Sequence, residues 1–524
     1  MNICPRIEEE YIQKVSIEHR KKYAQFFTPQ PIAKILADWL LGNHEIKTVL
    51  EPAFGLGIFT RELLSERDDL IIKGFEIDNI IYSEAKKYFS SDDNLNLILS
   101  DYMYNDWDNK YDGIICNPPY FKFHDYDNKN ILADIEKHLR CKLSGFTNLY
   151  TLFLLKSIHQ LNPNGRSAYI VPSEFMNSDY GKLVKKHLLA TGTLRYIFVF
   201  DFEENIFDDA LTTASIILCA NDKKTDKVQI TTIKSISEID KIENIISSYP
   251  KIPANAVTRK LSEFKAESKW KLYYTPNNSS KYNNLVPFSN YAKVVRGIAT
   301  GANDYFTFNL SKAKEYQIDE QYLQPCICHS RDIKYDIFDT KELENLKAND
   351  KSIFILNAVN VENENLTKYI TKGEIDGIDK RYLTANRKPW YSMERRAIAP
   401  IWVSVFNRKG LRFIRNKANI LNLTTFHCIY PQSNLLYDIP IDLLFAYLLT
   451  DTAKLIFEDN SREYGNGLKK YEPNDLNKGN ILDLKLIPTK EQEEILNLYN
   501  QYSITNDKRY INKIETILNK LFLK

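Results

Sequence analysis

Residues 25–222 predict an α/β fold, and three observations carry that prediction. Short apolar runs alternate with segments of helical spacing. The first four runs each end in an acidic or amide side chain, and a glycine turn separates the first run from the first helix. Strands are expected at 47–50, 70–75, 95–99, 113–116, 167–171, 194–200 and 212–220.

Ahead of these, residues 1–24 read as a polar, partly helical arm. Gln25-Phe26-Phe27-Thr28-Pro29-Gln30-Pro31 leads into 32–41, where apolar residues at 32, 35, 36, 39 and 40 follow helical spacing. Thr28 is the expected N-cap, with Pro29 at the first helical position. By itself this stretch is an ordinary capped helix.

The first strand runs into Glu51-Pro52-Ala53-Phe54-Gly55-Leu56-Gly57 and then a helix over 58–67. The glycines let backbone approach a ligand, and the helix start offers free N–H groups. There is no Gly-Lys-Ser/Thr, so this is no P-loop, and the full Gly-x-Gly-x-x-Gly pattern is also missing. The second strand ends in Glu76-Ile77-Asp78, about twenty residues after the turn, where an acid can hold ribose hydroxyls. The third ends in Ser100-Asp101-Tyr102, and Asp101 can accept from an exocyclic amine such as adenine's. One acid at a strand end is commonly the cap of the next helix. Three in series with a glycine turn favour a nucleoside pocket. Glu51 there would repel phosphate and suit a cation such as the methionine part of S-adenosylmethionine.

The fourth strand, 113–116, stops at Pro118-Pro119, which cannot continue a ladder. Asn117 therefore sits just past a strand's carboxyl end, where open α/β sheets build their sites. With Tyr120 it makes an amide, a rigid backbone and a ring that can grip a flat, amine-bearing ring. Residues 121–144 lack a period and read as a loop over substrate. Helices are expected over 148–161 and 172–189. Phe207, in a short polar loop between the last two strands, is either a second wall for a stacked ring or a core residue.

With 524 residues the chain exceeds one core. The expected divisions are an arm (1–24), a catalytic domain (25–222), a linker region (223–285), a second domain of short β-like runs (286–435) and a helical C-terminal region (436–524). No apolar run reaches the roughly 18 residues that cross a membrane, and Glu8-Glu9-Glu10 is unlike a signal peptide. A cytoplasmic protein is expected. The 7 cysteines are scattered and read as reduced thiols. Cys326-Ile327-Cys328-His329 lacks two further ligands, so no metal is expected.

Net charge is only +2, but residues 381–420 hold ten basic residues against one acid, Glu394. Trp390, Tyr391, Trp402 and Phe406 are interleaved. Basic side chains among aromatics point to a polyanion carrying bases, against the plainer reading of a solvated charged face.

In this order the motifs resemble the gamma-class, Taq-type adenine-N6 DNA methyltransferases. Phe27-Thr28-Pro29 looks like their N-terminal cofactor motif, and Glu51 to Gly57 like their main cofactor loop. Glu76-Ile77-Asp78 and Ser100-Asp101 match the next cofactor acids. Asn117-Pro118-Pro119-Tyr120 looks like their catalytic tetrapeptide, and Phe207 falls where their second stacking aromatic falls. Gly297-Ile298-Ala299-Thr300-Gly301 and Lys388-Pro389-Trp390-Tyr391 are more loosely similar to turns in the target-recognition half of some members.

The resemblance implies a Rossmann-like methyltransferase domain with a seven-stranded mixed sheet, plus a mixed α/β target-recognition domain that binds double-stranded DNA. It implies S-adenosylmethionine as cofactor, held by Phe27, Thr28, Glu51, Pro52, Ala53, Gly55, Gly57, Glu76, Ile77, Asp101 and Tyr102. It gives Asn117, Pro118, Pro119, Tyr120 and Phe207 to catalysis on a flipped adenine. Arg296, Thr300, Lys388, Trp390, Arg395, Arg396, Arg408 and Lys409 are the implied DNA contacts. A cognate restriction endonuclease acting separately is compatible with it, as is a monomer or weak dimer. Three other readings stay open. They are a methyltransferase on another planar amine (cytosine N4, an RNA adenine or a protein glutamine), an inactive DNA-binding homologue, and an enzyme fused to a nuclease.

Overall fold

The computed structural model describes residues 6–120, 129–139, 148–201, 214–252, 257–275, 277–358, 361, 363–407, 410–432, 439–464 and 468–524. The chain forms two compact units, residues 1–276 with 462–467, and residues 277–461 with 468–524.

The first unit is built on one mixed sheet. Its strands are β1 (Thr48–Glu51), β2 (Ile71–Glu76), β3 (Leu95–Leu99), β4 (Tyr111–Cys116), β5 (Leu161–Pro172), β6 (Leu194–Phe200), β7 (Ala214–Ala220), β8 (Lys227–Ile233) and β9 (Thr258–Lys260). They lie in the order β3-β2-β1-β4-β5-β7-β6-β8-β9. The pairs from β3 across to β5 are parallel, and β7 runs antiparallel to both β5 and β6. The order reverses between β1 and β4, which makes their carboxyl ends a topological switch point.

The central strands, β1 and β4 to β7, are covered on both faces, which explains why they read as continuous apolar runs. The first helices along the chain are α1 (Arg6–Lys14), α2 (Ile17–Lys22), α3 (Gln30–Leu41) and α4 (Ile58–Glu66). In β4, Ile114 and Cys116 pack under the helices Leu149–His159 and Gly181–Thr191, whereas Ile115 faces α3 and α4. All three are fully buried. Truncating one such isoleucine to alanine costs about 2–5 kcal/mol, so this strand holds its terminal Asn117 on a stiff base.

The sheet has nine strands where seven were expected. The added β8 and β9 come from the segment expected to be a linker. β8 pairs parallel to β6, and β9 antiparallel to β8. A strand as buried as β6 needs its second edge satisfied. The polar, β-branched run Val228-Gln229-Ile230-Thr231-Thr232 supplies that edge, and its polarity hid it in the sequence. Helix Ile239–Ser247 then buries Ile239, Ile242 and Ile246 against the α3 face.

Two further expectations change here. The cap of α3 is Pro29, without a side-chain hydrogen bond, so Thr28 does not cap it. Within 121–144, Lys129–Leu139 is a helix.

The second unit holds a five-stranded sheet ordered Ala292–Arg296, Phe426–Pro431, Ile401–Ser404, Phe413–Asn416, Ile337–Phe338. A four-stranded sheet comprises Thr307–Phe308, Phe354–Leu356, Leu323–Ile327 and Leu421–Asn422. The helices Ile441–Leu449, Asp451–Glu458, Thr489–Thr505 and Arg509–Phe522 share one core with Ala292, Val294, Ile401 and Val403. Residues 436–524 are therefore not a separate helical region; their apolar faces are buried against the larger sheet. Among the described residues no helix is long and apolar enough to cross a membrane.

Candidate active site

A cleft opens at the carboxyl ends of β1 to β4, and the glycine turn shapes its floor. Gly55 and Gly57 have φ of 55° and 70°, the left-handed region. At Gly57 a Cβ would also lie 2.5 Å from the ring of Phe54. Phe54 is buried against Phe89, and its N–H donates to the Phe75 carbonyl at 2.8 Å. The loop is thus clamped to β2, and only glycine fits its last position.

Three acids face this floor. Glu51 is almost wholly buried. Its Oε2 accepts from the Thr60 hydroxyl at 2.6 Å and the Thr60 N–H at 3.1 Å. Its Oε1 has no hydrogen-bond partner among the described residues. Burial pushes its carboxyl up to about 8, opposed by the bonds from Thr60. Glu76 accepts three N–H groups, from Gly55, Ile77 and Asp78 at 2.8–2.9 Å. It therefore ties the glycine turn to β2 as well as facing the cleft. Burial raises its pKa against those bonds. Asp101 accepts from the Met103 N–H at 2.8 Å, and burial raises it too. The capping role weighed for these acids and the pocket role coexist in Asp101.

Behind Asp101, Tyr102 is buried and donates its hydroxyl to Gln160. Lys156 is fully buried there, bonded to the carbonyls of Tyr102 and Asn105, with its ammonium 3.9 Å from the Tyr102 ring centroid. Burial drives it down to about 7.

On the other side stands Asn117. Its Nδ2 donates to the Phe26 carbonyl at 3.0 Å and to Thr28 Oγ1 at 3.1 Å. Its Oδ1 accepts from the Tyr120 hydroxyl at 2.7 Å. That hydroxyl is also 3.2 Å from the Ile170 carbonyl. The Tyr120 ring lies near-parallel to Phe26, with centroids 6.1 Å apart, and edge-on to Tyr150.

Of the residues expected at the site, Phe27, Thr28, Glu51, Pro52, Ala53, Gly55, Glu76, Ile77, Asp101, Tyr102, Asn117 and Pro119 line this one cleft. Gly57, Pro118 and Tyr120 stand beside it in the same loops. Phe207 lies outside the described residues, as do Arg408 and Lys409.

The arm is what sequence reasoning missed. Glu8, Lys22, Tyr23 and Phe26 also line the cleft. Helix Arg6–Lys14 and Val15 just after it set Ile7, Tyr11 and Val15 against Leu56 and Ile81. The four-residue spacing of those three was a signal, masked by the charges between them. Asp78 holds the arm: its Oδ2 accepts from Gln25 at 2.7 Å and pairs with His19 at 2.8 Å. Glu8 pairs with Arg61 at 2.5 Å.

The second unit treats its expected contact residues unevenly. Arg296, Lys388 and Arg395 are exposed. Thr300 is buried, and its hydroxyl donates to Asn303 at 2.6 Å, so it is not presented at the surface. Trp390 packs against Tyr305 and donates to Glu374 at 3.1 Å. Arg396 pairs with Glu394 at 3.2 Å. Trp402, among the aromatics interleaved with the basic stretch, is fully buried in the strand core. Cys326 and Cys328 are buried beside Ile298 and Leu423.

Comparison with known proteins agrees with this division of the chain. Residues 20–207 match the family described as Eco57I restriction-modification methylase, and residues 273–518 match the Type II methyltransferase M.Eco57I, C-terminal domain. The Type II methyltransferase M.AccI of Acinetobacter calcoaceticus is 63% identical over 517 residues, 98% of this chain and 96% of that protein. M.XamI of Xanthomonas campestris pv. amaranthicola is 21% identical over 88% of this chain and 85% of its own length. Among solved structures, a nuclease-deletion mutant of the Type ISP restriction-modification enzyme LlaGI, in complex with a DNA substrate mimic, superposes with a TM-score of 0.54. The identity is 12%, over 91% of this chain and 54% of that one, a likeness of fold alone. The match to M.AccI spans 98% of the chain and so both units, and on that ground the chain belongs to the Type II methyltransferases of restriction-modification systems.

Proposed function

We propose that the protein transfers a methyl group from S-adenosylmethionine to N6 of a flipped-out adenine in double-stranded DNA. The observation that carries this reading is one cleft lined by three strand-end acids and by Asn117, whose amide nitrogen is held by two hydrogen bonds.

The cleft suits the donor chemically. Glu51 leaves a buried carboxyl oxygen unpartnered, and a cationic amino-acid group would satisfy it as the carboxyl gives up its proton. Glu76 can take ribose hydroxyls at its remaining lone pairs. Asp101 is left to accept from adenine's amine, with Ile77 and Tyr102 offering apolar surface beside it. When bound, the donor supplies an activated methyl on a sulfonium.

The remaining work falls to the chain's own residues. The exocyclic amine of adenine is a weak nucleophile, because its lone pair is delocalised into the ring. Asn117 Oδ1 and the Pro118 carbonyl each accept one N–H, which favours a tetrahedral nitrogen with its lone pair free. Orientation then supplies much of the rate. Tyr120 now donates to the oxygen the amine would use. The Ile170 carbonyl offers its hydroxyl another acceptor, so the amine can take its place without leaving a donor unpaired. A base inside a duplex cannot reach this cleft and must be extruded. Stacking on Tyr120, with Phe207 on the other face, contributes about 1–3 kcal/mol. Exposed Arg296, Lys388 and Arg395 in the second unit take the phosphates. A cognate endonuclease reading the same sequence would act as a separate protein.

The test is to incubate purified protein, S-adenosylmethionine and duplex DNA, digest the DNA and separate the nucleosides by mass spectrometry. N6-methyladenine at a fixed sequence is expected. N4-methylcytosine alone, or methyl transfer only to RNA, would overturn the reading.

A further inference from the structure

Thr28 has the residue type and position of a helix cap, yet it caps nothing. Helix α3 starts from Pro29 with no side-chain bond, and the Thr28 hydroxyl instead sits 3.1 Å from Asn117 Nδ2. Thr28 is 3% exposed. We propose that Thr28, which stands in the donor cleft, serves the acceptor half of the reaction as the positioning residue that holds the Asn117 amide in the orientation the Phe26 carbonyl selects. This rests on the function proposed above.

An asparagine amide is nearly symmetric in shape, so packing alone does not choose between its oxygen and its nitrogen. Hydrogen bonds do. The Phe26 carbonyl, 3.0 Å away, can only accept, so the NH₂ must face it. The second N–H then points at Thr28 Oγ1, which accepts it. Both amide protons are thereby used, and Oδ1 is turned toward Tyr120 and the place where an amine would arrive. In the flipped amide, Oδ1 would confront the Phe26 carbonyl and the NH₂ would face the incoming donor. No N–H could then be accepted from substrate.

Thr28 is itself held firmly. Pro29 follows it and restricts its backbone to extended conformations, and Pro31 stiffens the first turn of α3. The spacing Phe26-Phe27-Thr28 places one carbonyl and one hydroxyl on the same amide. The intervening Phe27 packs edge-on to Tyr11 of the arm. One short segment therefore meets both the donor cleft and the acceptor amide.

Three variants of the full chain test this: Thr28→Val, which keeps shape and loses the acceptor, Thr28→Ala, and Thr28→Ser, which keeps the hydroxyl. Donor affinity is read by calorimetric titration with S-adenosylmethionine, transfer by single-turnover kinetics on duplex DNA, and folding by thermal midpoint. Thr28→Val and Thr28→Ala are expected to lower the transfer rate about tenfold, the worth of one hydrogen bond of about 1.4 kcal/mol. Because Thr28 also lines the donor cleft, the rate is compared at saturating donor, and Thr28→Ser should restore it. Combining Thr28→Val with Asn117→Ala should cost no more than Asn117→Ala alone. Weakened donor binding with an unchanged rate at saturating donor would overturn the proposal, as would an additive loss in the double variant. A wild-type protein that methylates cytosine N4 would overturn the adenine reading and leave this one standing, because the same amide geometry serves either amine.

Discussion

The two units use their polar residues in opposite ways. In the first, acids and an amide stand at the ends of parallel strands, and the fold gathers them around one cleft. In the second, a run of basic residues is shared out between surface and interior. Arg387 donates to the carbonyls of Ala299 and Thr300, Arg412 to those of Ile333 and Tyr335, and Arg415 to Asp442 and the Pro400 carbonyl. A residue at a strand end has its direction set by the strand. A residue in a charge run has none until the tertiary structure gives it one.

The largest effect expected from breaking this comparison lies at Asn117. Asn117→Ala removes an acceptor held by two bonds from its other atom. Losing one preorganised polar group at a reacting centre typically costs about 10²–10³-fold in rate. The donor side, built on β1 to β3, is untouched. Transfer in single-turnover assays should fall by at least that factor, while titrated donor affinity is kept. Near-normal transfer would detach the acceptor role from this amide.

Next in size is the pH dependence of donor binding. Burial raises the Glu51 carboxyl to about 8, so in the free protein it is largely protonated at neutral pH. A cationic group on Oε1 favours the carboxylate and lowers that pKa. Binding below pH 8 must then release a proton. Donor affinity should rise with pH between about 6 and 8, by at most about tenfold per unit, and level off above. Glu51→Gln should flatten the profile and weaken binding at pH 8. Folding moves the other way. A carboxyl whose folded pKa is raised contributes its stability below the unfolded value of 4.5 and loses it as pH rises through about 8. The empty protein should therefore be less stable at pH 9 than at pH 7, and the donor should offset the difference. Calorimetry at several pH values reads both.

How much was legible follows the same contrast. The seven strands of 47–220 and the cleft residues from Phe27 to Tyr120 could be read because period and strand-end position are local properties of sequence. Strands β8 and β9 could not, since Val228 to Ile233 becomes a strand only through the free edge of β6. The arm hides its stripe of Ile7, Tyr11 and Val15 among charges, although that stripe packs on Leu56 of the glycine turn. Thr28 carried a true signal, a polar residue before Pro29, with the wrong partner attached: the bond to Asn117 spans 89 residues, and no local pattern shows it. In the second unit, the spacing of Trp390 and Trp402 suggests stacking surfaces, whereas Trp402 is buried against Phe426 and the half-buried Trp390 packs against Tyr305.

The smallest effects should separate the two kinds of basic residue. Lys388 and Arg395 are exposed, so each can neutralise one phosphate and release its counterions. Lys388→Ala and Arg395→Ala should each weaken DNA binding a few-fold at moderate salt. Each should also reduce the slope of log affinity against log salt by about one, with the thermal midpoint unchanged. Arg415 is half-buried, 3.0 Å from Asp442 Oδ1 and 3.0 Å from the Pro400 carbonyl. Arg415→Ala loses both side-chain bonds, but the Pro400 carbonyl keeps the Asn416 N–H at 2.9 Å, so the change should cost about 0.5–1.5 kcal/mol of stability and leave the salt slope of the folded protein as it was. Fluorescence titration at four or five salt concentrations, beside thermal unfolding, measures both. If all three variants moved the slope equally, the basic run would be a single electrostatic surface, and the division between interior and surface cations would have no bearing on DNA.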